Sequence, residues 1–574
     1  MTRHSSADLK VGSTPDRKYR LVRRTDLQVG LTAMVLVAVL ALGQLLLAQV
    51  SSDRLLNAQK EPHNWLTYSG TYMSQRYSPL TQVTTANVNN LELKWVFQAR
   101  WLDYNQATPL VVDGIMYTTQ GNDVVALDAA TGKIFWIYPY TPASDAKFCC
   151  GRITRGLAIL GDTLFLATVD AHLVAIDAKT GRPIWNRIVA SGAAGYSLTT
   201  APLVVKDKVI VGPAGGEFGI RGFIAAYDAA TGKEAWRFNT VPLPGEPGHE
   251  TWGEGWQHGG GSIWVTGSYD PETNLTFWGV GNPGPDYNAE TRPGDNLYSC
   301  SVVALDADTG KLKWHYQFTP NDEFDWDAVQ IPVLADISWK GQPRKAMLWA
   351  NRNGFFYVLD RRTGEFLQAT PIAKQNWNAG FDNGRPIRTP NATPSRDGVL
   401  IYPGNQGATN WFNPSYSPRT GLFYVNVWEN THHIFARADQ QYQEGMSYTA
   451  GRLSTTYPGR GIAAGMRAAQ RPNLRKEEEN FGTVRAFDPQ TGTWRWEYKQ
   501  SDLTDAGILT TATDVLFTGG REGYFFALDA RNGSLLWKIQ LGGPIQNGPI
   551  TYAVNGRQYV AVSASNSLFV FGLR

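Results

Sequence analysis

Several residues in this sequence are of types that could do chemistry. Cys149 and Cys150 are adjacent, within KFCCGRITRGLA. Such a pair either stays as two reduced thiols or closes a small strained ring, a kind of disulfide that is readily reduced. Cys300, in LYSCSVVALD, has the small hydrophobic character of a buried strand thiol. Glu217, Asn282, Asp325 and Asp327 all offer oxygen, the donor a hard cation requires. They lie far apart in sequence, so only the fold could assemble them. Taken singly, each carboxylate would read as a solvated surface charge. His432-His433 could suggest a metal site but reads better as an exposed loop pair. No Cys-x-x-Cys-His occurs, so no covalent haem domain is expected.

These residues need a large scaffold. The chain has 574 residues, too many for one ordinary core of ~100–200 residues. Hydrophobic residues make up 43% and aromatics 12%, enough to bury a core. Gly at 58 and Trp at 20 point to an all-β fold with glycine-rich turns. A net charge of +3 argues against an electrostatic nucleic-acid binder. Residues 1–28 are polar and basic, and Val29 to Val50 runs 22 positions without a charge. A membrane span needs ~20 apolar residues, and basic residues before it keep the N-terminus inside. The expectation is an N-terminal apolar helix at 29–50, a retained anchor rather than a cleaved signal peptide. A linker would follow at 51–61, and the body would face an oxidising compartment.

One motif organises the body: an apolar pair, Asp, two residues, Thr-Gly, three residues, Trp. It reads ALDAATGKIFW at 126–136, AIDAKTGRPIW at 175–185, AYDAATGKEAW at 226–236 and ALDADTGKLKW at 304–314. It returns as AFDPQTGTWRW at 486–496 and ALDARNGSLLW at 527–537, and VLDRRTG at 358–364 lacks the Trp. The shorter gaps fit four-stranded propeller blades of ~40–50 residues. SYSPRTGLFYV at 415–425 reads as a degenerate eighth copy. The expected fold is an eight-bladed β-propeller over 62–574. Asp and Thr serve turns, Gly takes the φ > 0 position, and Trp packs between blades.

With these residues in place, the chain resembles the pyrroloquinoline quinone (PQQ)-dependent alcohol dehydrogenases over about residues 62–574. The resemblance implies a vicinal Cys149–Cys150 disulfide against one face of PQQ and Trp264, in GGGSIW, under the other. A tricycle held between sulfur and indole gains dispersion and fixed orientation. Arg155 would bond the quinone carboxylates, since a planar guanidinium suits paired carboxylates. Thr199, Ala214 and Gly215 match the rim, although serine is more usual at Ala214. Arg352, in NRNG, would stabilise negative oxygen as the quinone is reduced. Asn410 and Trp411 match a further contact pair, and Gln106 stands where many relatives have Glu.

The resemblance also implies a metal held by Glu217, Asn282 and Asp325, a Lewis acid at the quinone carbonyl. Asp325 would also be the catalytic base. Asp327 and Gly216 look like the lanthanide-dependent relatives, because an added anionic ligand favours a trivalent cation over calcium. The loop Pro283–Asn288 lacks the Trp of methanol-specific relatives, which implies primary alcohols in general as substrates. Electrons would pass to a separate c-type cytochrome in the periplasm. A homodimer is compatible with the resemblance. Two alternatives stand beside this reading. One is a non-catalytic, membrane-anchored propeller scaffold, which does not explain Cys149, Glu217, Asn282 and Asp325 together. The other is a PQQ sugar or polyol dehydrogenase, whose relatives usually carry several N-terminal spans.

Overall fold

A computed structural model of the chain describes residues 50–102, 105–454 and 480–574. The basic segment 1–28 and nearly all of the apolar stretch expected at 29–50 lie outside the described residues. Val50 itself belongs to the body: it is buried and pairs with Gly161. The stretch expected as a linker is a helical turn, Ser52–Leu56, followed by a 3-10 turn, Ala58–Lys60. Leu55 and Ala58 are buried, and Arg54 bridges Glu61 and Asp113. Among the described residues, no helix is long and apolar enough to cross a membrane.

The body is a β-propeller of eight antiparallel blades. Blade 1 runs Leu110–Val112, Ile115–Gln120, Asp123–Asp128 and Ile134–Tyr138. Blades 2 to 5 follow the same pattern over 157–188, 203–239, 268–317 and 333–371. Blade 6 covers 415–499 and blade 7 covers 509–540, with Tyr77–Ser78 added parallel to the first strand of blade 7. In blade 1 the first three strands are almost wholly buried while the fourth is largely exposed, so the fourth is the outer strand.

The expected number of blades holds, but the eighth is elsewhere. It combines three C-terminal strands at 550–573 with Leu91–Gln98 as outer strand, so the two ends of the chain close the ring. The Ser417–Gly421 turn of SYSPRTGLFYV joins the first and second strands of blade 6, whereas the repeated motif joins the third and fourth. The long gap before Asp488 holds a hairpin, Asn378–Asp382 with Arg385–Arg388, and a three-stranded sheet, Val399–Ile401, His433–Arg437 and Gly451–Ser454.

The repeated motif is interblade mortar. Asp128 Oδ1 accepts from the backbone N–H groups of Ala130 and Thr131, which closes the turn. Trp95, Trp136, Trp185, Trp236 and Trp496 donate their indole N–H to the carbonyls of Ala129, Ala178, Ala229, Ala307 and Ala530 at 3.0–3.3 Å. Each acceptor directly follows the next blade's motif aspartate. Blade 5 has Gln368 instead of Trp, and its Nε2 donates to Pro489 O at 2.7 Å, the corresponding carbonyl of blade 6. Gly181 has φ +72°, and a Cβ there would lie 2.6 Å from the Trp136 ring. Gly181→Ala therefore combines backbone strain with a steric clash, and should cost about 2–3 kcal/mol. Denaturant unfolding checks this; an unchanged midpoint would contradict the interblade role.

Candidate functional site

Antiparallel meanders sort their loops by end. The first-to-second and third-to-fourth turns lie at one end of the ring. The second-to-third loops and the links between blades lie at the other. Every site residue expected from the sequence lies on this second set. Cys149, Cys150 and Arg155 link blades 1 and 2, Thr199 links blades 2 and 3, and Trp264 links blades 3 and 4. Asp325 and Asp327 link blades 4 and 5, while Asn410 and Trp411 link blades 5 and 6. Ala214, Gly215 and Glu217, then Asn282, then Arg352 lie in the second-to-third loops of blades 3, 4 and 5. Residues scattered over 263 positions thus share one end, and the motif aspartates share the other.

Two groups of contacts form there. In the first, Arg155 is buried, donates to Thr199 Oγ1 at 2.9 Å and Trp264 O at 3.0 Å, and lies 4.8 and 4.9 Å from the Trp264 and Trp411 ring centroids. Its Nε is buried without a hydrogen-bond partner, and burial lowers its pKa to about 10. A buried guanidinium between two indoles, with no carboxylate among its hydrogen bonds, is suited to an anionic planar ligand. Gln106 Oε1, on the link between blades 8 and 1, is also buried without a partner. Asn410 donates to Gln406 O at 2.9 Å and accepts from Trp411 N–H at 2.8 Å, which holds the Trp411 backbone.

In the second group, Cys149 and Cys150 are joined by a disulfide. Their sulfurs and a carboxylate oxygen of Glu217 lie within 4.8 Å of one another. Gly215 carries Glu217 past the neighbouring loop: it has φ +112°, and a Cβ there would run into Gly195 O. Ala214 bonds through its backbone to Ser197. Asp327 Oδ2 meets Arg352 Nη1 at 2.5 Å, and its Oδ1 accepts the Asn282 backbone N–H at 2.9 Å. Gly281 makes that approach possible, since a Cβ there would sit 2.5 Å from Asp327 Oδ1. Arg352 also donates to Asn405 O at 2.6 Å and lies 3.6 Å from Asp325 Oδ2. Asp325 holds left-handed backbone, φ +60°, and accepts from Asn405 Nδ2 at 3.3 Å. A Cβ on Gly216 would lie 3.7 Å from Asn282 Oδ1, an ordinary contact, so the Asn282 oxygen faces the Glu217 loop.

The electrostatics of this group are lopsided. Burial raises the pKa of Glu217, and the nearby Asp327 carboxylate adds to the rise. Burial also lifts Asp325 well above the carboxylate range; Arg352 opposes this while Asp327 and Glu217 reinforce it. Burial lowers the Arg352 pKa, but Asp325 and Asp327 more than offset it. Asp286, on the Asn282 loop, was not among the expected site residues, yet it belongs here. Burial and then Asp325 and Glu217 push it well above the carboxylate range. Four carboxylates thus share one end of the ring with Arg352. Buried like charges of this kind are held by a polyvalent cation or by protons. The oxygen donors fit a hard cation, and the Arg155 group fits an aromatic anion beside it.

The histidine pair departs from expectation. His432 is buried, and His433 begins the strand His433–Arg437. The Nδ1 of His433 accepts the Asn405 backbone N–H at 3.2 Å, so the pair supports the loop that touches Asp325. Cys300 is a fully buried thiol, as expected, and donates to Trp326 O.

Known proteins give this arrangement its class. The family model for the β-propeller domain of PQQ-type glucose/ethanol/alcohol dehydrogenases matches residues 65–384 and 365–560. The chain is 39% identical over 544 residues to the quinohemoprotein alcohol dehydrogenase ADH-IIG of Pseudomonas putida, covering 90% of this chain and 74% of that one. It is 36% identical over 565 residues to the lanthanide-dependent methanol dehydrogenase of Methylacidiphilum fumariolicum, covering 93% and 90%. It superposes on a europium-containing methanol dehydrogenase with a TM-score of 0.82 and 33% identity, covering 91% of this chain and all of that one. The chain belongs to the PQQ-dependent alcohol dehydrogenase family.

One electrostatic consequence is testable without any ligand. Burial, with His432 beside it, lowers the His433 pKa from 6.5 to about 4. Between those values the unfolded chain binds a proton that the folded protein refuses, so stability falls as pH drops from about 6.5 to about 4. Urea unfolding at pH 7 and pH 5 should show a smaller loss for His433→Gln than for the parent protein.

Proposed function

We propose that the chain oxidises primary alcohols to aldehydes in the periplasm, using PQQ and one metal ion, with a lanthanide favoured over calcium. When bound, the quinone supplies the two-electron acceptor and the cation supplies the Lewis acid that polarises it. Arg155 and Thr199 hold the quinone carboxylates. Trp264 and the Cys149–Cys150 disulfide would hold its ring, and Ala214, Gly215, Asn410 and Trp411 would shape the rim. Glu217, Asn282, Asp325 and Asp327 hold the cation through oxygen. The Asp325 carboxylate takes the alcohol hydroxyl proton as hydride leaves the carbon. Arg352 stabilises negative charge next to it and keeps Asp325 and Asp327 close together.

The observation that carries this reading is the electrostatic coupling of Glu217, Asp286, Asp325 and Asp327, with Arg352 paired to Asp327, at the same end of the ring as a buried Arg155 whose Nε lacks a partner. The lanthanide preference rests on Asp327, which adds a carboxylate within reach of the other donors. The absence of Trp from 283–288 supports a broad range of primary alcohols. A c-type cytochrome is the proposed acceptor of the electrons. The apolar stretch before Val50 is the proposed tether to the inner membrane.

Dye-linked alcohol oxidation after reconstitution with PQQ and either lanthanum or calcium tests the proposal. Activity is expected with lanthanum, falling about 10–100-fold in Asp327→Ala. Full activity with calcium alone and no gain from lanthanum would discard the metal assignment. The kcat/KM for ethanol and butanol should match or exceed that for methanol; a strong methanol preference would refute the substrate class.

A further inference from the structure

Asp286 has no role in the site as assembled from the sequence, yet it is 2% exposed on the wall of the metal-donor group. It lies four residues after Asn282 on one loop, and its Oδ1 accepts a hydrogen bond from Asn282 Nδ2 at 3.0 Å. The second acceptor of that amide nitrogen is Pro283 O at 3.3 Å. With both of its acceptors on one side, the Asn282 amide cannot flip without losing them. Its Oδ1 is thereby turned toward Gly216 and the Glu217 loop. An unanchored Asn presents nitrogen and oxygen with similar ease, and only the oxygen can bind a cation. Asp286 also interacts electrostatically with Glu217, Asp325 and Asp327. Asp327 is engaged by Arg352 at 2.5 Å. Arg352 pairs with Asp327 and lies near Asp325, while the buried Arg292 interacts with Asp286, so the carboxylates of this group outnumber its cations.

We propose that Asp286 is a positioning residue of the metal site, locking the Asn282 amide with its oxygen toward the cation and adding the negative charge that favours a trivalent ion. This rests on the metal-site reading above. It makes a prediction that a purely structural role does not. A charge removed at a fixed distance costs a bound ion energy in proportion to that ion's own charge. Asp286→Asn keeps an acceptor for the Asn282 amide but loses the charge. The logarithm of its affinity loss for a trivalent ion should be about 1.5 times that for a divalent ion. Asp286→Ala loses the acceptor as well, so both ions should weaken further.

The experiment is calorimetric titration of the PQQ-reconstituted protein with lanthanum chloride or calcium chloride, with thermal unfolding to confirm that each variant folds. Asp286→Asn should weaken lanthanum about 30-fold and calcium about 10-fold. Asp286→Ala should weaken both by a further factor of at least about three. Equal losses for the two ions in Asp286→Asn would overturn the charge role. Indistinguishable Asn and Ala variants would overturn the orienting role. If both folded variants bind as the parent does, Asp286 has neither role while the metal site stands. If the parent binds neither ion, the metal-site reading itself fails.

Discussion

Repulsion among buried and half-buried carboxylates is the constraint on which the active end of this protein depends. Glu217, Asp286, Asp325 and Asp327 come from three different connections and are brought within electrostatic reach of one another. Left to themselves they would separate or take up protons. Arg352 opposes this from the next blade, with Asp327 at 2.5 Å and Asp325 at 3.6 Å. The remaining resistance must come from the scaffold, because each loop is anchored at both ends in a blade that cannot shift independently.

The ring supplies that resistance through many modest contacts of one kind. At the end far from the carboxylates, Trp95, Trp136, Trp185, Trp236 and Trp496 each join two blades by an indole hydrogen bond and an indole face on a turn glycine, while Trp314 gives the face alone and Gln368 the hydrogen bond alone. Each junction contributes a few kcal/mol at most. The closure of blade 8 by Leu91–Gln98 turns a row of such junctions into a circle. In an open row, strain at the carboxylates could relax by splaying the blades. In a closed ring every blade has two neighbours, so local repulsion is spread around the circle. The loops can then be irregular, as Asp325 is at φ +60°, without loss of position.

This division explains what could be read from the sequence. The motif turns were legible because Asp, Thr, Gly and Trp each have a local reason to be where they are. Blade 8 was not, because its strands come from opposite ends of the chain and it carries no such turn. Gln368 was equally hidden: it makes the hydrogen bond of the missing Trp while sharing none of its shape. Within the site, the expected residues proved to lie on loops at one end, which the meander topology dictates once the blades are known. The histidine pair differs from expectation because its burial comes from the inserted sheet of blade 6, which sequence periodicity does not reveal.

Asp286 shows the limit most clearly. The loop 283–288 is legible for the bulky residue it lacks, whereas nothing in the sequence tells which charges Asp286 meets. Size and charge act over different ranges. A missing indole changes only the space next to it, whereas a buried carboxylate is felt by every charge within several ångströms at low dielectric. Asp286 therefore acts over a distance that a neutral side chain on this loop would not reach. Its carboxylate interacts electrostatically with Asp325, Glu217 and Asp327, and so makes the donor group more negative. The loop after Asn282 thus bears on the cation site in two ways through one side chain: the hydrogen bond that Asp286 accepts from the Asn282 amide, and the charge of the same carboxylate.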